Sequence, residues 1–164
     1  MDTKKLHTTE QQSNDNQALE HTKVALAQMA ELGIRPEGHV EPFLSPDARQ
    51  KQIDVIPYQH QVKQVVVYET MPGELSAVCP FSGLADFGTL RIEYIPCTRY
   101  LELKSLKYYI LSWRRIGIAQ EDITALIYND ILKTLQDPKY LFITTVYNVR
   151  GGINTTCSID SRNQ

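Results

Sequence analysis

Three groups of residues in this 164-residue chain have the types and spacing to do chemistry. In Cys79-Pro80-Phe81-Ser82-Gly83-Leu84-Ala85-Asp86-Phe87 a thiol is followed seven residues later by a carboxylate. Pro80 and Gly83 predict a turn that can bring Asp86 back toward Cys79. That would set a nucleophilic sulfur beside a group able to move a proton, as covalent catalysis requires. The plainer reading of the same residues is a small buried hydrophobe and a turn aspartate. The second group, Glu102-Leu103-Lys104-Ser105-Leu106-Lys107-Tyr108-Tyr109, opens a predicted helix with Lys104 and Lys107 adjacent on its surface. Two ammonium groups beside the unpaired N–H groups of a first turn suit an anion such as a dinucleotide phosphate. The alternative is a solvated helix face with Glu102 as a favourable first-turn acid. In the third group, Gln120-Glu121-Asp122 precedes a second helix. These side chains either cap that helix or offer an amide and a carboxylate to a purine-like edge, whose ring N–H and exocyclic amine need an acceptor such as Glu121.

The elements that must position these groups are legible from about Ile53 onward. Gln61 to Glu69 holds the β-branched run Val65-Val66-Val67, and Phe87 to Tyr94 alternates apolar and polar residues, so both read as strands. Leu103, Leu106, Ile110 and Trp113 follow the rhythm of one helix face, with Lys104, Lys107 and Arg114 on another side. Ile123, Leu126, Ile127, Ile131 and Leu135 mark a second helix, ended by Asp137-Pro138. Tyr140 to Val149 and Ile153 to Ile159 predict two strands joined by a hairpin-like turn at Arg150-Gly151-Gly152. The order strand, strand, helix, helix, strand, strand predicts an α+β fold with the helices on one face of an antiparallel sheet.

Ahead of this domain, taken as residues 51–164, residues 1–50 read as an extension. Its first 17 residues are polar and predicted to be disordered, residues 18–32 have the spacing of a short amphipathic helix, and Pro36, Pro42, Pro46 and Pro57 interrupt helix and ladder pairing and mark an extended linker or arm. A composition of 42% hydrophobic and 22% charged residues is that of an ordinary soluble protein. A net charge of -2 gives no general attraction for nucleic acid or an anionic membrane, so any anion site must be local. No apolar run is long enough to span a bilayer and no signal sequence is evident, so a cytoplasmic protein is expected. Cys79, Cys97 and Cys157 are odd in number and lack CxxC spacing, which predicts free thiols rather than a disulfide framework or a zinc ribbon.

Taken together, the cysteine segment from Cys79 to Phe87, the run Glu102 to Lys107 and the Arg150-Gly151-Gly152 turn resemble the QueF-type nitrile reductases of queuosine biosynthesis, a tRNA-modification pathway. The likeness covers about Val65 to Ile159, and the Glu102 to Lys107 run is its most specific part. The resemblance implies a tunnelling fold, with four antiparallel strands and two helices in ββααββ order, whose subunits close into homo-oligomeric rings with active sites between neighbours. It also implies NADPH-dependent reduction of 7-cyano-7-deazaguanine to its aminomethyl product without a metal. In that scheme Cys79 forms a thioimide and Asp86 moves the proton. Leu101, Glu102, Leu103, Gln120 and Glu121 hold the base, while Lys104, Ser105, Lys107, Arg150 and Gly151 hold the cofactor. Cys97 and Cys157 match no family motif and read as structural.

The chemistry explains the residue types, because a nitrile resists direct hydride attack whereas the imine-like adduct of a thiolate accepts hydride once protonated. The chain departs from the family's pattern at Gln120, where His is usual, and at Ala85, where Pro is usual. Gln donates hydrogen bonds but does not titrate near neutrality, so either the activity tolerates it or the reaction has changed. Two other readings stay open. One is an amidinotransferase-like relative that forms the same thioimide without hydride transfer, against which the intact Glu102 to Lys107 run argues. The other is a non-catalytic purine-binding ring protein. A zinc hydrolase of the GTP-cyclohydrolase kind is disfavoured, since His7, His21, His39 and His60 all precede Cys79 and none lies in its motif.

Overall fold

The computed structural model describes residues 53–60 and 62–164, together with residues 20, 21, 23, 24, 27, 28 and 31. Those seven are helical and exposed, and the disordered start, the proline-rich arm and the rest of the helix expected over 18–32 lie outside the described residues. The helix-face spacing of the sequence matters most in α1 (Leu103–Ser112) and α2 (Gln120–Leu135). Along α2, Ile123, Ile127 and Ile131 recur every fourth residue and are fully buried, with Leu126 and Leu135 beside them. In α1 the buried face is Leu106, Tyr109 and Ile110, and Trp113 continues it in a single 3₁₀ turn, Trp113–Arg115. Leu103, expected on that face, is 61% exposed, because it opens the helix one turn before the sheet is reached.

Both helices cover one face of an antiparallel sheet. Its two long central strands are β4 (Ala85–Ile95) and β6 (Tyr140–Arg150), paired from Gly88↔Tyr147 to Ile95↔Tyr140. Alternation sends Leu90, Ile92 and Tyr94 of β4 and Leu141, Ile143, Thr145 and Tyr147 of β6 to the helix side, where all are buried. β7 (Ile153–Asp160) pairs with β6 through a two-residue turn whose glycines, Gly151 and Gly152, have φ of +57° and +81°, as such tight hairpins require.

The opposite edge of β4 is shared by two short strands. β2 (Val66–Glu69) pairs with the half of β4 from Arg91 to Tyr94, and β3 (Leu75–Val78) pairs with the half from Ala85 to Gly88. Between them Thr70 and Gly73 donate backbone hydrogen bonds to Leu90 and Gly88, so the pair acts as one interrupted edge strand. The sheet is therefore four strands wide, in agreement with the expected ββααββ order. The first strand departs from expectation, since residues 62–65 stay outside the ladder and the strand resumes as β3 after the interruption. Two further strands were not foreseen: β1 (Val55–Pro57) and β5 (Arg99–Leu101) form a separate two-stranded ribbon, so Pro57, expected to interrupt pairing, instead ends a strand opposite Arg99, at an edge where its missing N–H is tolerated. Among the described residues no helix is long and apolar enough to cross a membrane.

Gly88 lets the central strands close up next to the cysteine hairpin. A Cβ at this position would stand 2.7 Å from the Val146 carbonyl oxygen and 3.1 Å from Cδ1 of Tyr147. Gly88→Ala is therefore expected to lower stability by about 1–3 kcal/mol, seen as a lower urea midpoint in circular dichroism. An unchanged midpoint would mean that β4 and β6 separate at no cost.

Candidate active site

Cys79 stands one residue past the end of β3, where the chain is held from both sides. Val78 pairs with Ala85 of β4 and also makes a parallel bridge to Gly117, its N–H donating to Ile116 O at 2.9 Å while Ile118 N donates to Val78 O at 3.1 Å. The hairpin then closes on itself, with Cys79 N donating to Leu84 O at 2.8 Å and Gly83 N donating to Cys79 O at 2.9 Å. Gly83 accepts the positive φ of +70° that this turn needs. The turn predicted from Pro80 and Gly83 thus exists.

The register does the rest. Ala77 lies opposite Asp86, and Cys79, two residues beyond Ala77, projects to the same face of the sheet. Thiol and carboxylate are therefore diagonal neighbours, at a separation of about 7 Å between their strand positions. Both are buried, Cys79 to 7% and Asp86 to 4% relative exposure.

Two residues distant in sequence complete the pair. Arg150, at the end of β6, donates from Nη1 to Asp86 Oδ1 at 2.5 Å, while its side chain remains half exposed. Gln120, the first residue of α2 and itself buried, hydrogen-bonds the Asp86 carboxylate from the helix side. The N-terminal end of α2 adds a favourable dipole for that carboxylate. The capping reading for Gln120 is not what is found: Ala119 holds the cap position and no side chain bonds there, while Glu121 and Asp122 lie in the first turn.

Opposing terms set the charge states. Burial alone would push the Cys79 thiol up, but hydrogen bonds from the Ser82 hydroxyl, the Ser82 and Phe81 amides and the Arg150 guanidinium outweigh it, and the thiol lies below its ordinary value. For Asp86 the balance is reversed. Burial lifts its carboxyl above the ordinary range, and the Arg150 charge with the bonds from Gln120 and Arg150 takes back only part of the rise. The outcome is a readily ionised sulfur next to a carboxyl that holds its proton unusually well.

The Glu102 to Lys107 run forms a second group. Glu102 is the N-cap of α1, its carboxylate accepting from Lys104 N at 2.9 Å and Ser105 N at 2.7 Å, which holds its pKa below the usual range. The amides expected to be open to a phosphate are thus already satisfied. Ser105 is buried, its hydroxyl accepting from Asp54 N and donating to Glu102 O, both at 2.9 Å. Leu101 is buried, with its backbone engaged by Tyr94 and Tyr68, whereas Leu103, Lys104 and Lys107 face solvent. The side chains of Lys104 and Lys107, not the helix backbone, are what this group offers to an anion.

Several neighbours of the first group were not singled out from sequence. Ser82 lay inside the cysteine motif without a role. The Thr124 and Thr145 hydroxyls meet at 2.6 Å, Tyr147 and Cys157 both feel the Glu121 charge, and burial together with Glu121 pushes the Cys157 thiol up. Cys97 is exposed beyond β4. The alternation of β6 carried the one available signal for Thr145 and Tyr147. Among the described residues, no three His, Cys, Asp or Glu side chains converge as a metal site would require.

An antiparallel sheet under two helices, with a buried thiol and a buried carboxyl on one sheet face, defines an α+β protein. Residues 85–164 match the model of the QueF-like protein family. The chain is 43% identical over 129 residues to the NADPH-dependent 7-cyano-7-deazaguanine reductases of Thermotoga petrophila and Thermotoga maritima, covering 77% of this chain and 91% of theirs. The reductase of Pelodictyon phaeoclathratiforme is 46% identical over 92 residues, covering 56% of this chain and 78% of that one. A crystal structure of an archaeosine synthase QueF-Like, in the apo form, shares the fold with a TM-score of 0.55 at 23% identity, over 62% of this chain and 96% of that one. The chain belongs to the family of NADPH-dependent 7-cyano-7-deazaguanine reductases.

The charge balance predicts a pH dependence. Only the thiolate is alkylated, and a lowered pKa means that Cys79 ionises at a lower pH than a free thiol, whose value is about 8.5. Iodoacetamide labelling read peptide by peptide should reach its half-maximal rate at a lower pH for Cys79 than for Cys157. Arg150→Met should move the Cys79 midpoint upward; an unmoved midpoint would show that Arg150 does not act on the sulfur.

Proposed function

We propose that this chain reduces the nitrile of 7-cyano-7-deazaguanine to the aminomethyl group with NADPH, through a thioimide on Cys79, in queuosine biosynthesis. The observation that carries this reading is the acidified, buried Cys79 on the same sheet face as Asp86. The thiolate adds to the nitrile carbon, the displaced π pair moves to nitrogen, and Asp86 gives that nitrogen its proton. Its raised pKa leaves Asp86 protonated at a pH where most of its kind are ionised, which suits a general acid. Arg150 favours the charged sulfur before attack and the carboxylate after proton transfer. It therefore stabilises negative charge at both ends of the step. Each NADPH, when bound, would supply one hydride, and the whole conversion takes up two NADPH and two protons per nitrile.

Gln120 takes the place of a titrating imidazole, so the proton for the nitrile nitrogen falls to the carboxyl of Asp86. It can still orient Asp86 by hydrogen bonding, which a reductase requires as much as proton delivery. Glu121, in the first turn of α2, offers a carboxylate to the base, and Glu102 another. Exposed Lys104 and Lys107 suit the cofactor phosphates as point charges. Gly151 gives a ligand close access to backbone at the β6–β7 turn.

The reading extends to a cytoplasmic protein that acts on the free base rather than on nucleic acid, and to rings with active sites completed between subunits. An open β7 edge and the exposed apolar residues Phe87, Val146, Val149 and Ile153 support the assembly.

The test is loss of NADPH absorbance with 7-cyano-7-deazaguanine. The native protein should oxidise two NADPH per nitrile consumed, Cys79→Ala none, and Asp86→Asn should fall by about a hundredfold or more. Gln120→His should change the rate little. Nitrile consumption that requires ammonia and leaves NADPH untouched would replace the reductase with an amidine-forming enzyme.

A further inference from the structure

Tyr147 carries a polar atom that the fold leaves unused. Its side chain is 2% exposed and its hydroxyl oxygen is buried, yet among the described residues no hydrogen-bond partner stands at its oxygen. The Thr145 hydroxyl, beside it on the same face of β6, spends its own proton elsewhere. Thr124 donates its single hydroxyl proton to Gln120 O at 2.7 Å, so in the 2.6 Å contact between Thr124 and Thr145 the donor must be Thr145. Leaving a buried hydroxyl unmatched costs about 1–3 kcal/mol, and a phenylalanine would fill the same space without that cost.

The position of the ring says where the missing partner lies. Tyr147 faces Gly88 across the β4–β6 ladder, and a Cβ on Gly88 would press on its Cδ1, so the ring is seated flat over β4. Its hydroxyl lies close enough to Cys157, Asp86 and Glu121 to feel their charges, so it shares the patch that holds the proton-moving carboxyl. Burial holds the phenol far above neutrality in its acid form, so it stays a donor throughout the working pH range.

We propose that Tyr147 Oη is a substrate contact: it hydrogen-bonds the fused nitrogen heterocycle and fixes its ring between Asp86 and Glu121. This rests on the reductase reading, since it takes the substrate to be a planar nitrile-bearing base. The protein gives up a little stability when empty and recovers it when the base arrives, as expected of a polar group whose partner is the ligand.

The test is Tyr147→Phe in the full-length protein, which removes one oxygen and no packing. Its urea midpoint without ligand should equal or exceed that of the native protein. KM for 7-cyano-7-deazaguanine should rise by about three- to tenfold with kcat within about twofold, as loss of one neutral hydrogen bond dictates. The rise in melting temperature caused by the nitrile alone, without NADPH, should shrink. An unchanged KM and an unchanged ligand-induced shift, or a clear loss of stability in the empty variant, would overturn the assignment. The outcomes stay separable: a native protein that is stabilised by the base but oxidises no NADPH defeats the reductase reading, while the thermal shift still decides Tyr147.

Discussion

The site depends on the register of β3 against β4. Ala77 opposite Asp86 is what sends the thiol of Cys79 and the carboxyl of Asp86 to the same side of the sheet. A slip of one residue would put the sulfur on the face away from the helices, because side chains alternate along a strand. The fold guards this register twice: Val78 is paired on one side by Ala85 and bridged on the other to Gly117, and the Cys79–Gly83 turn fixes the hairpin length. Two strands over, Gly88 allows β6 to approach closely enough for Arg150 and Tyr147 to reach the same patch.

On that frame, burial and charge pull in opposite directions and the site lies at their balance. Dry surroundings raise both thiol and carboxyl, and a single half-exposed guanidinium opposes the rise at each. The sulfur, aided by Ser82 and two backbone amides, ends below its ordinary value, and the carboxyl ends above it. The two shifts run toward each other, so the thiol ionises more readily and the carboxyl keeps its proton longer than either would in water.

Much of this was legible in the chain. The helices and the two long strands announce themselves because each buries one face and so repeats with its own period, as in Ile123, Ile127 and Ile131 or Leu90, Ile92 and Tyr94. β3 did not, because Leu75, Ser76 and Ala77 are all buried and carry no alternation. The three-residue strands β1 and β5 are too short to show a period. Within the site, Cys79 and Asp86 share a local motif, but the contact between Asp86 and Arg150 spans 64 residues and follows only from the sheet topology. The spacing of the Glu102 to Lys107 run suggests an open first turn for an anion, whereas the N-cap made by Glu102 closes that helix end to a phosphate. Tyr147 looked like one more core aromatic, since nothing in a sequence reveals a hydroxyl without a partner.

The central claim is that Cys79 adds to the nitrile, and intact mass spectrometry tests it most directly. Native protein incubated with 7-cyano-7-deazaguanine in the absence of NADPH should gain the full mass of the nitrile, because addition expels no leaving group. The adduct should map to the Cys79 peptide and disappear when NADPH is supplied. A protein that gains no mass, or gains it at Cys97 or Cys157, would contradict the account.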